Sequence, residues 1–313
     1  MASIIELSKD KTESKNIFKN LKSDYFLQKL FNNILKKKLL DIIKYNNNIK
    51  DRINISIKDF KEYSEKCSSI EIEIKSVNKK YGKFIDINNK KNEIYYHIYF
   101  NNKEEIKRNY LNENENIDKI KIIIDYQIKS FVGLFEYCGC IEYIYFKKFY
   151  RNNITNMGGM FLGCSSLKEL NLSNFNTINV KDMREMFYGC SSLKELNVSN
   201  FNTNNITDMD CMFYECSSLK ELNLSNFNTN NVTNMESMFY RCSSLKELNL
   251  SNFNTNKVKN MNCIFTECSS LKELNISNFN THNVTNMNDM ISFSFQLNII
   301  CSDEFRNKFK KFN

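Results

Sequence analysis

From Ile141 to about Met290 the chain repeats itself every 26 residues. One period reads Leu167-Lys-Glu-Leu170-Asn-Leu172-Ser-Asn-Phe175-Asn-Thr177, then Val180, Met183, Met186, Phe187 and Cys190. Further copies begin at Leu193, Leu219, Leu245 and Leu271. A diverged copy precedes them at Ile141, and a partial one follows at Leu297 and Ile300. A unit this short cannot bury its own apolar faces. It becomes stable only when neighbouring copies stack and line up Leu on Leu, Phe on Phe and Met on Met.

Two periodicities share each copy. Leu170 and Leu172 alternate with polar residues, the pattern of a short half-buried strand. Val180, Met183, Met186 and Phe187 recur at helical intervals, so the spacing predicts a short helix capped by the preceding Thr or Asn. Ser165-Ser166 and its copies turn the chain back into the next strand. The expected architecture is an α/β repeat solenoid of six turns from Ile141 plus a partial seventh.

Cys138, Cys164, Cys190, Cys216, Cys242 and Cys268 also stand 26 apart. Parallel strands lie about 4.8 Å apart, close enough for a disulfide, but equivalent side chains in stacked copies point the same way. The reading is a ladder of free, buried thiols. No Cys-Xaa-Xaa-Cys pair exists, and the remaining spacings do not match a zinc site.

The motif Leu-x-x-Leu-x-Leu-x-x-Phe and the segment Asn231-Val-Thr-Asn-Met-Glu-Ser-Met-Phe-Tyr-Arg-Cys-Ser-Ser-Leu245 resemble the BspA-like leucine-rich repeat family. That resemblance covers about half of the chain. It implies a leucine-rich-repeat-type right-handed superhelix with a parallel β-sheet on one face. It also implies protein recognition or adhesion, often at cell surfaces.

Ahead of the repeats, residues 1–15 read as a disordered polar tail, and 16–118 as a small α+β region that caps the array. Residues 17–66 carry helical spacing. Ile70–Ile74, Phe84–Ile87, Ile94–Phe100 and Ile120–Ile124 read as strands, and the last is expected to begin the sheet that the repeats continue. The solenoid is assigned to 119–300 and a C-terminal cap or tail to 301–313. Leu21 to Asn54 looks faintly like an F-box, which would make the chain a substrate adaptor; it lacks the leading Leu-Pro and any Trp.

The net charge is +8, most of it before residue 119. Neither part is basic enough to imply nucleic acid. Lys36, Lys37 and Lys38 read as a solvated helix edge. The apolar run at the N-terminus is too short for a signal-peptide core, and no stretch approaches the ~20 apolar residues of a membrane span. The expectation is therefore a cytoplasmic monomer, with export to the cell surface by a non-standard route as the alternative. Sequons such as Asn171-Leu-Ser173 fall on the predicted strands, where glycans would crowd the sheet.

The candidate binding face is the exposed side of the strands. It carries Glu169 and Asn171, repeated as Glu195/Asn197, Glu221/Asn223, Glu247/Asn249 and Glu273/Asn275. Like charges stacked in register repel, and the adjacent Lys168, Lys194, Lys220, Lys246 and Lys272 offset that. The first copy differs, with Tyr143 and Tyr145 at these positions, and tyrosine is favoured at binding hot spots. Variation between copies concentrates elsewhere, at Arg184/Glu185, Asp210/Cys211 and Glu236/Ser237. Of two histidines, His282 replaces a loop Asn, and His97 lies in a strand without a nearby nucleophile. No catalytic, cofactor or metal residues are expected, and the anticipated partner is a protein.

Overall fold

The computed structural model of the chain describes residues 68–113, 115–294 and 296–312. The predicted helices of 17–66, the F-box-like stretch and the tail 1–15 lie outside them. Ser68–Asn313 is one compact unit, so the expected 118/119 division falls inside it.

The unit starts with β1 (Ile70–Ser76), β2 (Gly82–Lys83), β3 (Tyr96–Phe100), β4 (Glu105–Ile106), β5 (Tyr110–Leu111) and β6 (Ile120–Ile124). A 3-10 helix, Lys90–Tyr95, leads into β3. Then come β7 (Ile141–Lys148), β8 (Glu169–Asn171), β9 (Glu221–Leu222), β10 (Glu247–Leu248), β11 (Glu273–Asn275), β12 (Asn298–Ile300) and α1 (Asp303–Phe309). The largest sheet has the order β4-β3-β6-β1-β7-β8. Alternation explains its two faces: Ile70, Ile72 and Ile74 of β1 are buried with Ile120, Ile122 and Ile124 of β6, while Glu71, Glu73 and Lys75 take the other side.

β1, not β6, joins the repeats. It pairs antiparallel with β7, and β7 pairs parallel with β8. The first repeat strand is thus the seam between an antiparallel cap and a parallel column. β6 was a reasonable expectation because it is nearest in sequence, but a parallel neighbour would need a crossover, whereas an antiparallel cap strand can arrive from further away.

Successive copies lie in register. Tyr143 pairs with Glu169, Glu221 with Glu247 and Glu273 with Asn298. The buried rings of Phe135, Phe161, Phe187, Phe213, Phe239 and Phe265 stack at 5.6–5.7 Å with interplanar angles of 4–7°. Each such pair adds about 0.5–1.5 kcal/mol beyond the area it buries. The sheet is not continuous: the copy at Leu193 forms no regular strand, so β8 and β9 belong to separate sheets.

The predicted repeat helix is absent; among the described residues the one α-helix is α1. Residues such as Val180–Cys190 form a run of overlapping four-residue turns, each closed by an amide that donates to the carbonyl three residues back. Each copy places two residues in the left-handed region, four apart. One column is Gly133, Gly159, Glu185, Cys211, Ser237, Cys263 and Asp289; the other is Tyr137, Gly163, Gly189, Glu215, Arg241, Glu267 and Phe293. An α-helix cannot accommodate these conformations. Amide hydrogen bonds then alternate. Glu185, Phe187 and Gly189 donate to Asp210, Met212 and Tyr214 of the next copy (2.7–3.0 Å), while Met186, Tyr188 and Cys190 donate within their own turn. These turns bury Val180, Met183, Met186, Phe187 and Cys190, a spacing that an amphipathic helix would share.

This turn column begins half a copy before the strands do. Phe131, Gly133, Phe135 and Tyr137 already donate to Asn156, Gly158, Met160 and Leu162.

The side chains of three polar columns join neighbouring copies. Buried Thr177, Thr203, Thr229 and Thr255 each bridge the N–H and C=O of one residue of the next copy, as when Thr229 Oγ1 donates to Asn254 O (3.0 Å) and accepts from Asn254 N (2.7 Å). Asn200, Asn226, Asn252 and Asn278 donate back to carbonyls of the preceding copy. The cysteines among the described residues are free. Cys164, Cys190, Cys216, Cys242 and Cys268 donate their thiols to a phenylalanine carbonyl 29 residues earlier, at 3.0–3.3 Å. Ser294 takes over this contact in the last copy, reaching Phe265 O at 3.0 Å.

α1 closes the far end. Ser302 caps it by accepting from Phe305 N, Phe305 is buried, and Lys308 Nζ donates to Thr281 O and His282 O.

Candidate functional site

Three surfaces compete as candidate sites. The first is the predicted sheet face. Glu169, Glu195, Glu221, Glu247 and Glu273 are all exposed. Their stacking is in register, with Glu221 directly beside Glu247. Of the five lysines beside them, only Lys168 makes an ion pair among the described residues, and its partner is Glu142 of the first copy.

The asparagines of this face are less available than their sequence positions suggest. Asn171, Asn197, Asn223, Asn249 and Asn275 each accept a hydrogen bond from the backbone amide two residues on, at 3.0–3.1 Å. These are Asx turns at the same place in every copy. Their carbonyl oxygens serve the fold. At the C-terminal copies the face opens into a groove of about 940 Å³, lined by Lys246, Glu247, Asn249, Lys272, Glu273 and Asn275 among others.

The second surface is the tyrosine pair. Tyr143 and Tyr145 lie 6.4 Å apart between ring centroids. β7 is an internal strand, so both are flanked: Tyr143 sits between Lys75 and Glu169, Tyr145 between Glu73 and Asn171. Burial, then the carboxylates of Glu169 and Glu73, push the Tyr143 hydroxyl above its ordinary pKa. Beside them Glu73 receives Lys119 and Lys147. Burial opposes its charge, but the two lysine contacts prevail and hold its pKa below the usual value. The structure brings the tyrosines onto the same sheet as Glu169 and Asn171, half-covered by the cap.

The third surface is the turn face, where the sequence varies from copy to copy. A groove of about 370 Å³ runs over its first copies, with Gly133, Gly158 and Gly159 in its lining and Glu136, Glu185 and Asp210 around it. A Cβ at Gly158 would meet Asn156 and Asp182 oxygens at 3.3 Å. Burial, followed by the Asp210 carboxylate, raises the pKa of Glu185; burial raises that of Asp210 against a hydrogen bond from Cys211, with Asp208 and Glu236 adding to the rise. Further along, Glu236 accepts from the amides of Asn260 and Asn262 instead.

His97 lies between Glu105 (3.1 Å) and Asp125 (3.5 Å) on the cap. Among the described residues no group of three or more His, Cys, Asp or Glu side chains is arranged to hold a metal ion. None of their helices is long and apolar enough to cross a membrane.

A family model described as "Mycoplasma protein of unknown function, DUF285" matches residues 129–247 and 216–308, together more than half of the chain. The chain belongs to this family. The match begins at residue 129, where the turn column begins, and not at the first repeat strand. DUF285 membership thus tracks the stacked copies and leaves β1 to β6 outside. Among solved structures, a leucine-rich repeat protein from Bacteroides ovatus is 20% identical, with a TM-score of 0.40, and the match covers 60% of this chain. The matched region spans 43% of that protein's length. No curated protein matches the chain.

The polar interior has no distinct signal in the sequence. Thr177 and its copies, and Asn200 and its copies, recur every 26 residues. That recurrence was visible, but a Thr between polar neighbours gives no sign of being buried.

Proposed function

We propose that this repeat protein is a non-enzymatic protein-interaction or scaffold module, a leucine-rich-repeat-type solenoid with a right-handed superhelix, working in the cytoplasm. One observation carries the reading: identical side chains recur in register on an exposed face, Glu221 against Glu247, with an open groove of about 940 Å³ at its C-terminal end. Such a face offers many equivalent weak contacts, which suits an extended or repetitive protein partner through avidity. The expected partner is a protein and not a nucleic acid, because the face alternates Lys and Glu and does not concentrate positive charge.

The test is affinity capture with the full chain, compared with the double variants Glu221→Lys/Glu247→Lys and Tyr143→Ala/Tyr145→Ala. A protein partner retained by the wild type and lost with the charge-reversal variant supports the reading. Retention of nothing above a scrambled-surface control by folded protein, or turnover of a small molecule by the same preparation, refutes it.

A further inference from the structure

The turn face carries a bare position in a column whose other members show what fits there. The column is Tyr137, Gly163, Gly189, Glu215, Arg241, Glu267 and Phe293. Arg241 reports the local recognition rule. Its guanidinium lies 5.2 Å from the Tyr240 ring centroid. It pairs with Glu215 at 2.8 Å and Glu267 at 3.0 Å, the carboxylates of the copies on either side. Planar guanidinium can stack on an aromatic ring and pair with a carboxylate at once.

Two copies earlier the flanking tyrosine and one of the two carboxylates recur without the arginine: Gly163 stands on one side of Gly189, and Glu215, which Arg241 also contacts, on the other. Tyr188 belongs to the column of Tyr214 and Tyr240, with ring centroids 4.3 and 4.6 Å apart. Glu215 lies one copy beyond Gly189 in that column. On the other side the Tyr137 ring covers Gly163, so closely that a Cβ there would lie 2.4 Å from it. Tyr137 is nevertheless 65% exposed. A Cβ on Gly189 would touch only the Gly163 backbone, at 3.5 Å. The place that a side chain fills at 241 is open at 189.

The adjoining groove adds charge of the matching sign. Among the described residues no basic side chain forms an ion pair with Glu136, Glu185 or Asp210, whereas Asp182 in the same groove holds Arg184 through two hydrogen bonds of 2.9–3.0 Å. Burial also destabilises the charged carboxylates of Glu185 and Asp210.

We propose that the open position over Gly189, between the Tyr137 ring and the Glu215 carboxylate, receives an arginine side chain of a protein partner, which would share Glu215 with Arg241. Tyr188 would flank it as Tyr240 flanks Arg241. This inference rests on the interaction-module reading and names a face and a partner chemistry for it. It places discrimination on the turn face and leaves the uniform sheet face to avidity.

The test uses the full chain and a fluorescein-labelled peptide in which four arginines alternate with serine, read by anisotropy. The expected result is binding at least tenfold tighter than that of the matching lysine and citrulline peptides. Gly189→Arg fills the position from within and should weaken binding at least tenfold, with the circular dichroism shape unchanged and the melting temperature lowered slightly, since a side chain at φ 68 is strained but Glu215 and Arg241 show that the fold carries one in the same left-handed backbone. Tyr137→Ala should weaken it at least fivefold and serves if Gly189→Arg fails to fold. Glu247→Gln/Glu273→Gln on the sheet face should leave it unchanged. Equal binding of the citrulline peptide, or full binding by a folded Gly189→Arg, overturns the proposal. Loss of binding only in the sheet-face variant overturns it too, while leaving the interaction-module reading standing.

Discussion

The threonine column offers a comparison that isolates one interaction. Thr229 and Thr281 occupy equivalent positions and are each 1% exposed. Thr229 Oγ1 satisfies both the N–H and the C=O of Asn254 in the next copy. Thr281 belongs to the last full copy, and its hydroxyl has no hydrogen-bond partner among the described residues. Valine has nearly the same shape, so packing terms largely cancel. Thr229→Val leaves two enclosed peptide groups unsatisfied, each worth about 1–3 kcal/mol when buried. Asn254 is only partly enclosed, which places the expected loss at about 2–3 kcal/mol. Thr281→Val removes an orphaned hydroxyl and should be neutral or stabilising by up to about 1 kcal/mol. Urea unfolding with a common slope measures both. Equal losses for the two variants, or no loss for Thr229→Val, would refute the claim that these hydroxyls fasten one copy to the next.

Other consequences follow from the same geometry. Ser237 has φ 50; Ser237→Gly should raise stability by about 0.5–1 kcal/mol in a left-handed turn, whereas in a helix interior it would lower it by a similar amount, so the sign of the urea-midpoint shift discriminates. Burial pushes the thiols of Cys164, Cys216 and Cys268 up to about 12. An unfolded thiol ionises near 8.5. Their stabilisation is therefore complete below that pH and is lost as pH rises from about 8.5 towards 12, by up to about 1.4 kcal/mol per pH unit for each thiol. Cys216→Ala, less stable at pH 7, should close its gap to the wild type at that slope; parallel curves would count against a neutral buried thiol. Phe305→Ala should strip the cap from the final copy at a cost of about 3 kcal/mol, seen as early proteolytic cleavage after Met290 while the N-terminal copies stay intact.

The period, the inward Leu, Phe, Met and Cys positions and the outward Glu, Asn and Ser were all legible, because burial repeats wherever the residue type does. The turn geometry was not. The overlapping turns and a helix share the Val180, Met183, Met186 spacing, and the left-handed positions are held by Glu185, Cys211 and Ser237, which carry no conformational signature. Gly133, Gly159, Gly163 and Gly189 were the available hint, since glycine recurs at two fixed places in the early copies. The attachment of β1 to β7 was also hidden, because alternation in Ile70–Ile74 tells which side is wet but not which strand lies alongside. For the candidate site, composition located the variable and constant faces. It could not show that the Asn171 series is used in turns or that Gly189 leaves an opening beside Tyr188.

The most direct test of the account is the removal of one whole period. Deleting residues 219–244 joins Ser218 to Leu245, which are consecutive positions of the same repeat. Every column should close in register with one rung fewer. The account predicts a folded chain with an unchanged circular dichroism shape, cooperative unfolding and a lower melting temperature. Deleting only 219–231, half a period, should set leucines against the turn column and abolish folding. A full-period deletion that fails to fold, or a half-period deletion that folds as well, would contradict the stacked 26-residue architecture on which the proposed functions depend.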